Sequence, residues 1–299
     1  MHRLEREEFL SYPLIGLWGV LGFQAGFINS FGFLACGRFV SHVTGFGTQI
    51  GGALAGRELN LALELLGFPF FFILGSTVSG IFTSARVDRG LEPRYELVTA
   101  FLPIALFAAT LAGAYGVFGT FGADFKSSRD FLLLYFLTFM CGMQNGCFAT
   151  MTKGQIRTTH LTGIATDIGT DLSRWLFGNL DASEKQMVER ANLSRLTTFA
   201  SFAIGAILSV ATTQMIEYMA LLIPAMTATS VAIVVGYIGL LNDKTISVPQ
   251  VQKPVVNGLP EFFERWPQSV NGRGQEPADI KVNQLMHHLI KPKAHPESL

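Results

Sequence analysis

Charge is scarce in this chain. Of its 299 residues only 15% are Asp, Glu, Lys or Arg, against roughly 25% in an ordinary soluble domain. The charge that is present cancels, with 22 acidic and 22 basic side chains. A net charge of zero removes the basic surface by which proteins hold nucleic acid. Cysteine is scarce as well. Cys36, Cys141 and Cys147 lie in apolar stretches without ligand-like spacing, so they read as small buried hydrophobes and not as a disulfide framework or a zinc site. No Gly-x-Ser-x-Gly turn, phosphate loop or spaced Cys/His pair occurs. No catalytic residue, metal or cofactor is therefore expected, and the chain does not read as an enzyme. His160, Asp167 and Asp171 could in principle hold a metal, but the corresponding stretch of the first half lacks both carboxylates.

What is abundant is apolar: 49% of residues are hydrophobic, 26 are Phe, and the mean hydropathy is +0.37. Uncharged stretches run over 9–37, 65–85, 97–123, 131–152, 196–216 and 218–242, each of 21 residues or more. A helix needs about 20 residues to cross a bilayer, so six spans are expected. The first 12 residues carry Arg3, Glu5, Arg6, Glu7 and Glu8 and no cleavage-site pattern, so the first span is read as retained.

The chain also repeats itself. Residues 42–51 and 160–169 share His42/His160, Thr44/Thr162, Gly45/Gly163, Thr48/Thr166, Ile50/Ile168 and Gly51/Gly169 at an offset of 118. Upstream, Gly26 and Asn29 match Gly142 and Asn145 at 116; downstream, Phe72, Gly75 and Ser79 match Phe202, Gly205 and Ser209 at 130. The markers keep their order, which indicates duplication. The 12 extra residues of the second half fall in the charged segment Asp181–Asn192, where a surface loop is expected to absorb them. The resulting organisation is a cytoplasmic segment 1–12, a first membrane repeat 13–118, a loop 119–129, a second repeat 130–242 and a polar tail 243–299.

The His-x-Thr-Gly segments are too polar for ordinary spans. The first carries His42, Thr44, Thr48 and Gln49, and the second carries Asp167, Asp171 and Arg174; charge at mid-bilayer is expensive. Broken or re-entrant segments are expected, with Gly permitting the break and Thr capping the helix that follows. Six spans with the N-terminus inside put Arg3, Arg6, Arg86, Arg89, Arg94, Lys153, Arg157, Arg174, Lys185, Arg190 and Arg195 in the cytoplasm. Arg38, Arg57, Lys126 and Arg129 lie opposite. Eleven against four satisfies the positive-inside rule, and three spans per half make the repeats inverted. An eight-span, parallel arrangement gives a weaker split.

Candidate site residues follow from polarity at membrane depth. Asn29, Gln144 and Asn145 are amides within apolar spans and need hydrogen-bond partners there. With His42, Thr44, Gly45, His160, Thr162 and Gly163 they could line a solute path or only hold helices together. On a helix, His160, Asp167, Asp171 and Arg174 share an arc of about 60°, and Asp171 and Arg174 can pair. That stripe is either a solvated face or part of the path. Gly16, Gly19, Gly22 and Gly26 align along the first span, as small residues do where helices touch in lipid.

Ala25-Gly26-Phe27-Ile28-Asn29 with His42-Val43-Thr44-Gly45, and Gly142-Met143-Gln144-Asn145 with Arg157-Thr158-Thr159-His160-Leu161-Thr162-Gly163, carry a resemblance to the YoaK family of uncharacterised multi-spanning bacterial membrane proteins. It covers roughly residues 13–242. The resemblance implies a bacterial cytoplasmic membrane and brings no substrate or reaction.

The expectation is thus an all-α membrane protein: six helices in two inverted three-helix repeats, multi-pass, with both termini cytoplasmic. Its leading function is passage of an unidentified small solute between the two His-x-Thr-Gly segments; the alternative is a non-transporting scaffold or stress-related protein. Expected partners are the bilayer, the solute and, at most, further copies of the chain. The tail, with seven of twelve prolines, reads as largely disordered, with Leu259–Trp266 and Ala278–Ile290 able to order on contact.

Overall fold

The computed structural model describes residues 6–122, 128–156 and 158–245; the tail, with its two candidate ordering stretches, lies outside them. Every regular element among the described residues is helical. In chain order they are α1 (Arg6–Phe9), α2 (Tyr12–Cys36), α3 (Val43–Ala55), α4 (Leu59–Phe82), α5 (Ser84–Asp88), α6 (Tyr95–Ala114), α7 (Ser128–Met151), α8 (Leu161–Phe177), α9 (Ala182–Ile216), a 3-10 turn (Glu217–Leu221) and α10 (Leu222–Thr245). Five segments are long and apolar enough to cross a membrane: Tyr12–Cys36, Leu59–Asp88, Tyr95–Ala114, Phe131–Met151 and Ala182–Gly239. The fifth holds two helices, α9 and α10, joined by the 3-10 turn.

Local chemistry sets the ends. Pro13 sits in the first turn of α2, where its missing N–H costs nothing. Gly37 closes that helix at φ 69°, donating its N–H to the Phe33 carbonyl, a left-handed cap that suits glycine.

The segment Asp181–Asn192, expected as a loop, is instead the N-cap and start of the 35-residue α9. The reason is legible in hindsight. The Asp181 carboxylate accepts from the N–H groups of Ser183 and Glu184, and the Glu184 carboxylate accepts from the Asp181 N–H. This is a complete capping box ahead of a run of good helix formers. The Glu184 N–H, with help from Ser183, holds the Asp181 carboxyl below its ordinary pKa. A lowered carboxylate pKa gives a cap that is intact above the ordinary value and lost as pH falls through the lowered one. Protection of the Ser183 and Glu184 N–H groups, taken relative to the unstructured exchange rate at the same pH, should therefore fall in acid, and Asp181→Ala should show the lower protection already at neutral pH.

The helices pair across the two halves of the chain. The most extensive contacts are α2 with α9 and α4 with α7, followed by α6 with α10. Glycine makes the first two possible. A Cβ on Gly26 would strike the Phe202 carbonyl, and one on Gly205 would strike that of Phe23. In the second pair, Gly75 lies against the Phe139 carbonyl and Gly142 against that of Phe72. Positions that match between the halves thus make matched contacts. Gly22 faces Thr198 and Gly26 faces Phe202, four residues further on in both chains, so α2 and α9 run parallel. Gly142 against Phe72 and Gly146 against Ser76 show the same for α4 and α7.

Apolar side chains fill the space between these pairs. Trp18, fully buried, meets Phe148 edge-on at 5.9 Å and donates its indole N–H to the Phe9 carbonyl at 2.8 Å. Cys36, Cys141 and Cys147 are buried, as expected of small core residues.

Candidate functional site

Two amides turn the chain back on itself. Beyond Gly37 the chain doubles back along α2 until Ser41 reaches Asn29, about two helical turns before the end of α2. Asn29 Oδ1 accepts from the Ser41 N–H at 3.1 Å and its hydroxyl at 2.9 Å. In the other half Asn145 Oδ1 accepts from the Thr158 N–H and hydroxyl, both at 3.2 Å, and Nδ2 donates to Thr159 Oγ1. A backbone N–H can only donate, so the atom it meets must be the amide oxygen. That settles the orientation of both side chains.

From the returned chain the short helices α3 and α8 set out. His42 and His160 are their N-cap residues. The expectation that Thr44 and Thr162 cap these helices does not hold, because both lie inside the first turn. Neither histidine makes a side-chain cap bond. Each imidazole instead folds over the glycine three residues on. A Cβ on Gly45 would meet His42 Nδ1 at 2.6 Å, and one on Gly163 would collide with His160 Nδ1. The His-x-x-Gly spacing is therefore steric: the ring occupies the room the glycine leaves.

These two helix starts open on one cavity of about 740 Å³. Its wall holds Asn29, His42 and Thr44 from the first half and Asn145, His160 and Thr162 from the second, six of the residues singled out by sequence. Ser41 and Thr159, Val43 and Leu161, and Phe72 and Phe202 add further matched pairs, and Phe39, Ser76, Gly146 and Ala149 complete it. Sequence reading missed Ser41, Thr159 and Ser76. It used Phe72 and Phe202 only as markers of the repeat, although their recurrence beside a polar motif was the available signal.

Gln144 is elsewhere. Its Oε1 accepts from Gln24 Nε2 at 2.9 Å and its Nε2 donates to Thr158 Oγ1 at 3.1 Å, all buried. It braces the turned-back segment and is not in the cavity wall.

Asp167, Asp171 and Arg174 form a separate cluster between α8 and α9. Asp171 is buried and pairs with Arg174 at 3.1 Å, as its spacing suggested. Its closer partner is Arg195 on α9, at 2.6 Å, which also reaches Asp167 at 3.6 Å. The stripe is thus a tie to the neighbouring helix, and none of its three residues is in the cavity wall. Arg195 was overlooked as a partner, although by the offset of 130 it stands where the first half has Leu65. Asp171 likewise stands where the first half has Ala53. Both of those are buried, and there α3 meets α4 through Phe46 and Phe68, stacked at 4.0 Å.

The comparisons with known proteins bear on this chain as a whole. A family model described as a protein of unknown function, DUF1275, matches residues 17–234. The chain belongs to that family, the YoaK family. No curated protein and no solved structure matches it. The matched span runs from α2 into α10 and includes both turned-back segments and the whole cavity wall. The family match and the apolar helices describe a multi-pass integral membrane protein.

Proposed function

We propose that this protein passes a small solute across the bilayer through the cavity between the starts of α3 and α8. One observation carries the reading: the two copies of the duplicated motif meet at a single cavity and line it with matched residues. Solute sites of transporters built from inverted repeats lie at the repeat interface, next to interrupted helices. The proposal includes six spans, α2, α4, α6, α7, α9 and α10, in two inverted repeats within a bacterial cytoplasmic membrane, both termini inside. The turned-back segments support it, because α3 and α8 are 13 and 17 residues long, about 20 and 26 Å against a 30 Å core. It involves no catalysis. Asp167, Asp171 and Arg174 belong to the frame of the path and not to its wall.

The test is solute entry into liposomes holding a chain in which Cys36, Cys141 and Cys147 are replaced by Ala. A cysteine at Val43, in the wall, should lose at least about tenfold of its flux when a bulky thiol reagent fills the cavity. A cysteine at Leu54, on the same helix but outside the wall, should not. Equal flux in both after complete labelling excludes this path. Orientation is read separately: a cysteine at Arg89 or Glu184 should label only from the cytoplasm, and one at Gly56 only from outside. Labelling at Arg89 from outside removes the inverted repeat.

A scaffold without transport is favoured by a different observation. The buried Gln24–Gln144–Thr158 chain and the glycine contacts show polar and small residues holding helices together. On that reading the cavity conducts nothing, and no solute enters faster than through protein-free liposomes.

A further inference from the structure

The hydrogen-bonding character of the cavity wall narrows what it can hold. No Asp, Glu, Lys or Arg is part of the wall. The wall does contain two side-chain amides, and each has its oxygen committed: Asn29 Oδ1 to Ser41, and Asn145 Oδ1 to Thr158. What these amides have left is N–H. Asn29 Nδ2 has no partner among the described residues, and Asn145 Nδ2 spends one of its two hydrogens on Thr159 Oγ1. The Ser41 and Ser76 hydroxyls donate inward, to Asn29 and to the Gly142 carbonyl. The hydroxyls of Thr44 and Thr162 can donate as well as accept. The first intrahelical bonds of α3 and α8 belong to Phe46 and Ile164, so the N–H groups of Val43, Thr44, Leu161 and Thr162 add further donors. His42 and His160, also in the wall, each offer one ring N–H and one acceptor nitrogen when neutral, and the Ser41 and Ser76 oxygens, their protons spent, can only accept. Donors still outnumber acceptors, and the two amide oxygens are committed.

Such a wall offers a cation no carboxylate. It also poorly serves a neutral amide or polyol, whose own N–H or O–H groups would be left without acceptors. It suits a solute that only accepts. With no Lys or Arg to balance a higher charge, that solute carries a single negative charge. We infer that the cavity is a binding site for a small singly charged oxyanion of the sulfonate, nitrate or carboxylate kind. This rests on the passage reading above and names the class of its solute.

Methanesulfonate and methanesulfonamide form a suitable pair, since they share size and shape, but the first is an anion that only accepts and the second is neutral and donates. Their entry into proteoliposomes is followed beside that of nitrate, the anions as potassium salts with valinomycin present so that charge does not accumulate. Both anions should enter faster than into protein-free liposomes, and methanesulfonamide should show no protein-dependent entry. Asn29→Asp keeps an oxygen for Ser41 and replaces the free N–H by a negative one, so it should fold as the native chain does. It should lower anion flux at least about tenfold, since like charges in a site repel strongly. Thr44→Val with Thr162→Val, which removes donors without adding charge, serves if Asn29→Asp fails to fold, and should also lower anion flux.

Protein-dependent entry of methanesulfonamide but of neither anion overturns the anion assignment and leaves passage standing. Anion flux unchanged in the folded variants overturns the assignment of this cavity. If no probe enters above the protein-free rate, the passage reading falls, and melting of the protein in detergent decides the site alone. A rise with methanesulfonate or nitrate that disappears in Asn29→Asp retains the anion site, and no rise overturns it.

Discussion

Arg195→Leu should destabilise the protein by about 3–5 kcal/mol, the usual cost of stranding one member of a buried ion pair. Asp171 is buried and the Arg195 side chain is 14% exposed, so water can replace little of what is lost. The remaining bond to Arg174, whose side chain is 51% exposed, keeps the loss toward the lower end. Arg174→Ala alone should cost less than about 1 kcal/mol, as exposed partners do. The informative variant is the double one. Asp171→Ala with Arg195→Leu recreates Ala53 and Leu65, the buried pair that the first half of the chain uses at the corresponding places. It should melt within about 1 kcal/mol of native, since apolar replacements of buried pairs are often neutral or better. Denaturant titration in detergent of the two single variants and the double gives the coupling directly. If the double variant loses as much as the two singles added, the pair does not act as a unit and the comparison between halves fails.

Alanine in place of Gly26, Gly75, Gly142 or Gly205 should also be costly. In each case the new Cβ would come within the 3.0 Å that real Cβ atoms essentially never reach, and the atom it meets is a backbone carbonyl of the partner helix. A side-chain tip could swing aside, but a carbonyl held in its own helix moves only if the helices separate. About 1–3 kcal/mol per site is expected, set against a gain of up to about 1 kcal/mol from removing glycine from a helix. Gly16→Ala isolates that gain, because nothing lies within 4 Å of the added carbon; it should be neutral or stabilising. Combining Gly26→Ala with Gly142→Ala, one change in each helix pair, should be close to additive. Equal melting of Gly16→Ala and Gly142→Ala would show that the helices do not approach as described.

Much of the fold was legible because lipid leaves few options. Long uncharged runs foretold α2 and α7 within a few residues of their ends and the start of α6, which stops at Ala114, short of the run's end at 123. They placed α4 and α9 too late, because Glu64 and the charged turns after Asp181 were read as outside helices. Helical propensity extends both beyond the apolar run, helped at α9 by the capping box. Half of the candidate site residues, Asn29, His42, Thr44, Asn145, His160 and Thr162, meet at one cavity. The repeat revealed them, since it marks positions used twice. The use of each was not legible. That Asn29 spends its oxygen on a backbone N–H depends on where the returned chain lies, and composition carries no trace of that. Arg195 was hidden for a similar reason. Its partner is set by how α9 packs back on α8, and spacing along the chain carries no trace of that. The main helix pairs, α2 with α9 and α4 with α7, cross between halves.

That crossing has a consequence for how the protein is made. A ribosome delivers α2, α4 and α6 to the membrane before any residue of α7, α9 or α10 exists. The grooves on α2 and α4 fit helices not yet synthesised, so the newly inserted first half lacks the principal partners of both helices. A chain stopped after residue 122 should accordingly be degraded as an orphan. Two separately translated pieces, divided between α6 and α7, should each be short-lived alone and should survive when produced together in the same cell.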